Sequence, residues 1–322
     1  MLTHIAANLL TIWLMMHIAR KLFNRSTALL AGIVWAISPP LLFLPTIFWD
    51  TSLSICLLMG LLALVLHYRQ RPSSGAWILL GVYCGVAVLI NLAMVFLLLT
   101  VLGWLAWQQR RAPLRNVTLG ILTFAIVFSP WPIRNARVFH AFVPLRTTVG
   151  FELWMGNHEG STGYLQEPLF PMYNAAELND YKQRGEIGYA QNKSQLARTY
   201  IEQHPATFAA LTARRIFRFW TGTGNSNGSA IFALHATLTS ILGILGLWPW
   251  LAFGKQRRGL GTLFAIPLLL FPLPYYITHA EFRYRLVIDP LLTILAAYAV
   301  VTLYRRYAVR PSTESSSGQT IQ

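Results

Sequence analysis

Nine apolar runs account for most of this 322-residue chain, and none has a charged residue at its centre. They lie at 5–19, 28–44, 53–66, 77–90, 92–107, 117–128, 231–251, 262–277 and 286–304. Crossing a bilayer as a helix takes about 20 mainly apolar residues, so the shorter runs must extend into their flanks to span. The pattern predicts an all-α polytopic membrane protein with about nine transmembrane helices. Composition agrees. Only 11% of residues are charged, against roughly 25% in a soluble domain. The two cysteines, Cys56 and Cys84, both sit inside apolar runs, which argues against a disulfide framework or a cysteine metal site.

The formal charge of +15 would suggest a nucleic-acid partner on a soluble chain. On a membrane protein its distribution matters more. Fourteen basic residues, from Arg20 to Arg310, fall in short loops and the C-terminal tail of one side, where Glu314 is the sole acidic residue. The positive-inside rule makes that side cytoplasmic. The nucleic-acid reading thereby loses its main support. The C-terminus is expected inside and the short stretch before the first span outside.

The domains expected are transmembrane helices 1–6 over residues 1–128, an external domain over 129–229, helices 7–9 over 230–304, and a disordered cytoplasmic tail over 305–322. The external domain, about 100 residues between spans six and seven, is expected to be α+β and rich in loops. Its first part, through Pro171, carries many Gly and Pro residues and reads as loops with short strands. Residues 175–203 read as a helix interrupted at Gly185 and Gly188. Pro205 suits the first turn of a further helix, on which Phe208, Leu211, Thr212, Ile216 and Phe219 share a face. That helix is expected to lie on the outer leaflet.

Four clusters gather on the predicted external side. In the first, Asp50 of Trp49-Asp50-Thr51-Ser52 either caps the third span, deprotonates a hydroxyl or holds a metal. In the second, Arg134 of Ser129-Pro130-Trp131-Pro132-Ile133-Arg134-Asn135 either pairs with a phosphate or snorkels beside an interfacial Trp. The third, Glu152 to Gly160, presents Asn157 and His158 in what reads as a tight loop, open to a polar ligand or an ordinary turn. A metal site at His158 and Glu159 is weak, since adjacent side chains seldom point the same way. The fourth is His279-Ala280-Glu281-Phe282-Arg283-Tyr284-Arg285. Its two arginines call for compensation, by Glu281 or by an anionic ligand such as a lipid-linked phosphate. Asp289-Pro290 reads as the cap and first turn of the last helix.

In this order the clusters resemble bacterial GT-C type glycosyltransferases related to protein O-mannosyltransferases and aminoarabinose transferases, the glycosyltransferase family 39-like enzymes. The segments that carry the resemblance are WDTSLS, SPWPIRNARVFHAFVPLR, FELWMGNHEGSTGY and THAEFRYRLVIDPLL. It implies an integral protein of the bacterial inner membrane that moves a sugar from a polyprenyl-phosphate donor to a lipid, glycan or protein acceptor on the non-cytoplasmic side. It also implies Asp50 as a supporting carboxylate, Arg134, His279, Arg283 and Arg285 as phosphate contacts, and Tyr284 lining the site. No cofactor is specified beyond a divalent cation, Mg²⁺ or Mn²⁺, whose participation stays open. Enzymes of this kind begin with a further span and an acidic first external loop. Their absence here predicts a truncated copy, or a chain inactive alone.

Two other functional classes remain. A transporter or flippase of lipid-linked glycan would hold buried charged groups near the midplane; no expected span centre has one, and Asn91 and His235 are the main polar candidates. A non-enzymatic membrane assembly factor would use the external domain to bind a partner.

Overall fold

A computed structural model describes residues 1–47, 49–71, 73–109, 114–223, 230–252 and 255–308, excepting the side chains of Pro45 and 255–258. The tail expected to be disordered lies, beyond residue 308, outside the described residues. The helices run, in order, α1 Leu2–Leu22, α2 Arg25–Ala36, α3 Pro39–Phe43, α4 Thr51–Tyr68, α5 Ser74–Ile90, α6 Val95–Gln108, α7 Leu114–Phe128 and α8 Pro130–Phe139. Then follow α9 Val149–Gly156, α10 Ala175–Gln203, α11 Pro205–Thr221, α12 Ala230–Ala252, α13 Lys255–Leu270, α14 Leu273–Ile277, α15 Phe282–Arg285 and α16 Asp289–Ala308.

Local chemistry sets many of these boundaries. The side chains of Asn24, Ser73 and Asn174 accept backbone N–H bonds from the first turns of α2, α5 and α10, filling donors that a helix start leaves open. Prolines occupy the first turns of α3, α8 and α11, where a missing N–H costs nothing.

Two expectations are corrected. Among the described residues five helical segments, not nine, are long and apolar enough to cross a membrane: Leu2–Leu22, Thr51–Tyr68, Leu114–Phe139, Ala230–Ala252 and Gly259–Ile277. The run at 28–44 is cut by Pro39-Pro40, which ends α2 after 12 residues. Asn91 likewise ends α5 after 17 residues. The final helix opens on Asp289 and closes on Arg305 and Arg306, which shortens its apolar stretch. The other correction is to residues 129–229, expected to form an external α+β domain: they contain helices and no strand among the described residues. Pro130 and Pro132 start α8 rather than breaking the chain into loops, and of the expected loop at Glu152–Gly160 the first half belongs to α9, whereas residues 157–160 form bends and a turn. The chain is a multi-pass integral membrane protein whose regular structure, among the described residues, is all helical.

Small residues bring helices of the bundle together. The faces of α12 and α16 meet at Gly243 and Gly246, where a Cβ would overlap Leu292 and the carbonyl of Leu295. Close backbone approach of this kind drives association where lipid tails provide no hydrophobic contrast. The opposite face of α12, Ile231, Leu234, Leu238, Ile241, Leu245 and Trp248, stays exposed, as a lipid-facing stripe at helical spacing should.

Beyond one end of the bundle, α9 packs on α10 over a small core of Phe151, Met155 and Tyr189. Gly185, at φ 66°, kinks α10 where the interruption was expected, and Gly188 does not break it. Helix α11 departs from expectation. Its buried face is Leu211, Arg215 and Phe219, turned toward α12 and α14, whereas Ile216 of the expected stripe stays exposed.

Candidate functional site

The start of α4, the end of α5 and the end of α14 lie at one end of the bundle, and a cavity of ≈ 270 Å³ opens among them. Asp50, Asn91, Arg146, Glu152, Tyr275, Thr278, His279, Arg283 and Tyr284 contribute its polar lining.

A short relay places Asp50. Asn91 Nδ2 donates to Ser54 Oγ at 2.9 Å, and Ser54 Oγ donates to the Asp50 carbonyl at 3.0 Å. Asn91 thus ties the start of α4 to the end of α5, which is a packing role. Although Asp50 occupies the cap position of α4, its carboxylate makes no capping bond. That leaves both oxygens available to the cavity.

Arg146 arrives on the loop after α8. Trp131 Nε1 donates to the Leu145 carbonyl at 2.8 Å, and Asn135 Nδ2 donates to the Val143 carbonyl at 3.0 Å. These bonds fold the loop back over α8 and bring Arg146 to the cavity rim. Its exposed guanidinium has no hydrogen bond or ion pair among the described residues. Arg134, expected to bind phosphate, is outside the lining. It is exposed, donates to Asn135 Oδ1 at 3.0 Å and leans on the rings of Trp131 and Phe139.

The fourth cluster divides. Arg283 pairs with Glu281, donates to Tyr284 Oη at 3.2 Å and lies over the Trp49 ring at 4.8 Å. Tyr284 stacks on Tyr275, with ring centroids 4.2 Å apart. Arg285, two residues on, is fully buried away from the cavity. It pairs with Asp289 and donates to the Ala236 carbonyl, Thr239 and Ser240. Asp289 also meets His235 Nε2 at 3.2 Å. Arg285 therefore holds α15 and α16 to α12.

His279 Nε2 lies 3.0 Å from Tyr284 Oη, and its Nδ1 lies 3.4 Å from a Glu152 oxygen. Burial lowers the imidazole from 6.5 to about 4, and the cations Arg283 and Arg215 add to the effect. The ring is thus neutral at neutral pH and supplies no positive charge to a phosphate. Burial also raises the Glu152 carboxyl, against the opposing pull of Arg146 and Arg283. A histidine held neutral stabilises the fold fully above its unfolded pKa and loses that contribution as pH falls from 6.5 toward 4. The contribution at stake is about 3 kcal/mol, with Glu152 acting in the opposite sense. The thermal midpoint of wild type should fall between pH 7 and 4.5 more than that of His279→Gln. Equal pH profiles would show that the ring does not titrate as described.

Asn157 and His158 lie off the cavity. Asn157 is fully buried, donating to the carbonyls of Leu153 and Ile277 and accepting from Arg215. His158 Nδ1 contacts the Trp154 carbonyl at 3.0 Å. Sequence reasoning passed over Arg146, Glu152 as a cavity carboxylate, and Arg215. For Arg146 a signal existed, since it closes the same SPWPIRNARVFHAFVPLR segment. Among the described residues no three His, Cys, Asp or Glu side chains converge as metal ligands.

A helical membrane protein with a charged cavity at one end of its bundle is the class defined by these features. Residues 1–133 match the family model described as dolichyl-phosphate-mannose-protein mannosyltransferase. No curated protein and no solved structure matches the chain. Of the charged cavity residues, Asp50 alone falls within the matched segment. The match and the helical architecture together support a membrane glycosyltransferase-like role at the level of the superfamily.

Proposed function

We propose that this cavity binds a polyprenyl-phosphate-linked sugar and transfers the sugar to a hydroxyl of a lipid, glycan or protein acceptor. The supporting observation is the meeting of two arginines, Arg146 and Arg283, with two carboxylates, Asp50 and Glu152, in one cavity. In the reaction the acceptor oxygen bonds to the anomeric carbon as the bond from that carbon to the donor phosphate oxygen breaks. The acceptor proton passes to a carboxylate, and Asp50, whose oxygens have no cap to make, is the assigned acceptor. Negative charge grows on the departing polyprenyl phosphate, and guanidinium groups directed at it stabilise such charge. Arg146 is free to turn to it, and Arg283 is braced by Trp49, Glu281 and Tyr284. His279 stays neutral and orients Tyr284. No step in this scheme requires a divalent cation. On this reading the cavity faces the non-cytoplasmic side and the basic loops face the cytoplasm.

The test uses the full chain in zwitterionic nanodiscs, with undecaprenyl phosphate as binding probe and its mannosyl ester as probe donor. Arg146→Ala and Arg283→Ala should each lower transfer about 10²-fold and weaken undecaprenyl phosphate binding. Asp50→Asn should lower transfer by about 10²-fold or more with probe binding retained. Undiminished probe binding by the double arginine variant would overturn the proposal.

A further inference from the structure

At the opposite end of the bundle, where α1 turns into α2, a second cavity of ≈ 350 Å³ is lined by Trp13, Met16, His17, Arg20, Arg25, Ala28 and Leu29. Two side-chain stripes form its walls. On α1, Trp13, His17 and Arg20 follow at i, i+4 and i+7 and so share a face, with Trp13 and His17 stacked at 5.5 Å. On the antiparallel α2, Arg25, Leu29 and Ile33 share a face in the same way. Both stripes run from exposed apolar groups to an arginine at the turn. Trp13 is 60% exposed, Leu29 44% and Ile33 57%.

Neither Arg20 nor Arg25 has a hydrogen bond or ion pair among the described residues. Counter-charge from nearby sequence is also lacking, because the first acidic residue of the chain is Asp50, at the other end of the bundle. Nearby, Arg305 reaches Ser26 Oγ at 3.3 Å, which adds a third cation to this rim. Exposed apolar walls beneath unpaired cations complement a molecule with a hydrocarbon body and an anionic head. Basic pockets between spans at the membrane surface bind acidic headgroups in this manner.

We infer that the groove between α1 and α2 is a binding site for an anionic phospholipid, whose phosphate lies between Arg20 and Arg25 and whose acyl chain lies along Trp13 and Leu29. The seven residues from Trp13 to Arg20 rise about 10 Å along the helix, which suits the distance from headgroup phosphate to upper acyl chain. The site is separate from the cavity at Asp50 and does not depend on the reaction proposed there.

Lipid exchange on the full chain, followed by native mass spectrometry, tests the inference with phosphatidylglycerol and phosphatidylcholine as probes. Wild type should retain phosphatidylglycerol about tenfold or more over phosphatidylcholine. Arg20→Gln/Arg25→Gln should lose that preference, whereas Arg134→Gln, an exposed arginine elsewhere, should keep it. Both substitutions replace unpaired surface groups; should the double variant fold poorly, Arg25→Gln alone should reduce the preference severalfold. Equal preference in wild type and variants would overturn the assignment. So would displacement of the lipid by inorganic phosphate alone, which would indicate a free-anion site. Self-association through this face with no lipid preference would overturn it too.

Discussion

Replacing Arg285 with methionine is expected to destabilise the protein by about 3–5 kcal/mol, the usual cost of removing one partner from a buried ion pair. The residue is fully buried, and its loss strands several groups together. Asp289, also fully buried, would keep only His235. The Ala236 carbonyl, Thr239 and Ser240 would each lose the donor they share. Helix α15 carries Arg283 and Tyr284 as well, so loosening it also displaces the cavity wall. The double variant Arg285→Met/Asp289→Leu should recover most of the lost stability, since an apolar pair can replace a buried ionic one at little cost. Equilibrium unfolding in detergent across a double-mutant cycle measures the coupling. A single variant within about 1 kcal/mol of wild type would mean that the seam between α12 and α16 does not depend on this pair.

Alanine at Gly156 should be nearly as damaging, for a steric reason. Gly156 ends α9, and a Cβ there would overlap the Thr278 carbonyl and crowd the Arg215 guanidinium. The contact cannot relax by rotating a flexible side chain, because the obstacle is backbone. Arg215 is fully buried and donates to the carbonyls of Gly156, Tyr276 and Ile277 and to Asn157 Oδ1. Burial lowers its pKa to about 10. No carboxylate faces it among the described residues. The carbonyls at the ends of α9 and α14 carry the negative ends of helix dipoles and serve in its place. Gly156→Ala should therefore cost about 3 kcal/mol. Arg215→Lys should not substitute, because an ammonium cannot present a planar fork to four acceptors. Glu152 lies one turn before Gly156, and His279 follows Thr278, so both variants should also weaken undecaprenyl phosphate binding. Hydrogen exchange over 150–165 and 274–285 reports the change directly. Unaltered protection in Gly156→Ala would show that the two segments are not held as described.

How far the sequence was informative can be followed residue by residue. Pro205 marked the start of α11, and Gly185 marked the kink in α10. Asp50 and Arg283 were both singled out, and both line the cavity. Arg134 and Arg285 were singled out on the same grounds, yet neither reaches it. The difference lies in partners distant along the chain. Arg285 is claimed by residues of α12, more than forty positions earlier, whereas Arg283, two residues away, turns to Trp49. Arg146 was passed over because it gains its position only when Trp131 and Asn135 fold the loop back. The apolar runs likewise could not show which were long enough to cross, since prolines and caps cut several of them short.

By itself, then, the sequence determined what depends on neighbours within a few turns: helical and membrane character, first-turn prolines and the Gly185 kink. Such features follow from side-chain spacing and local backbone preference. Tertiary structure alone decided which charges are spent on packing and which remain available to a ligand. The state of a charge depends on the dielectric and the partners around it, and those are brought together only by contacts between distant segments.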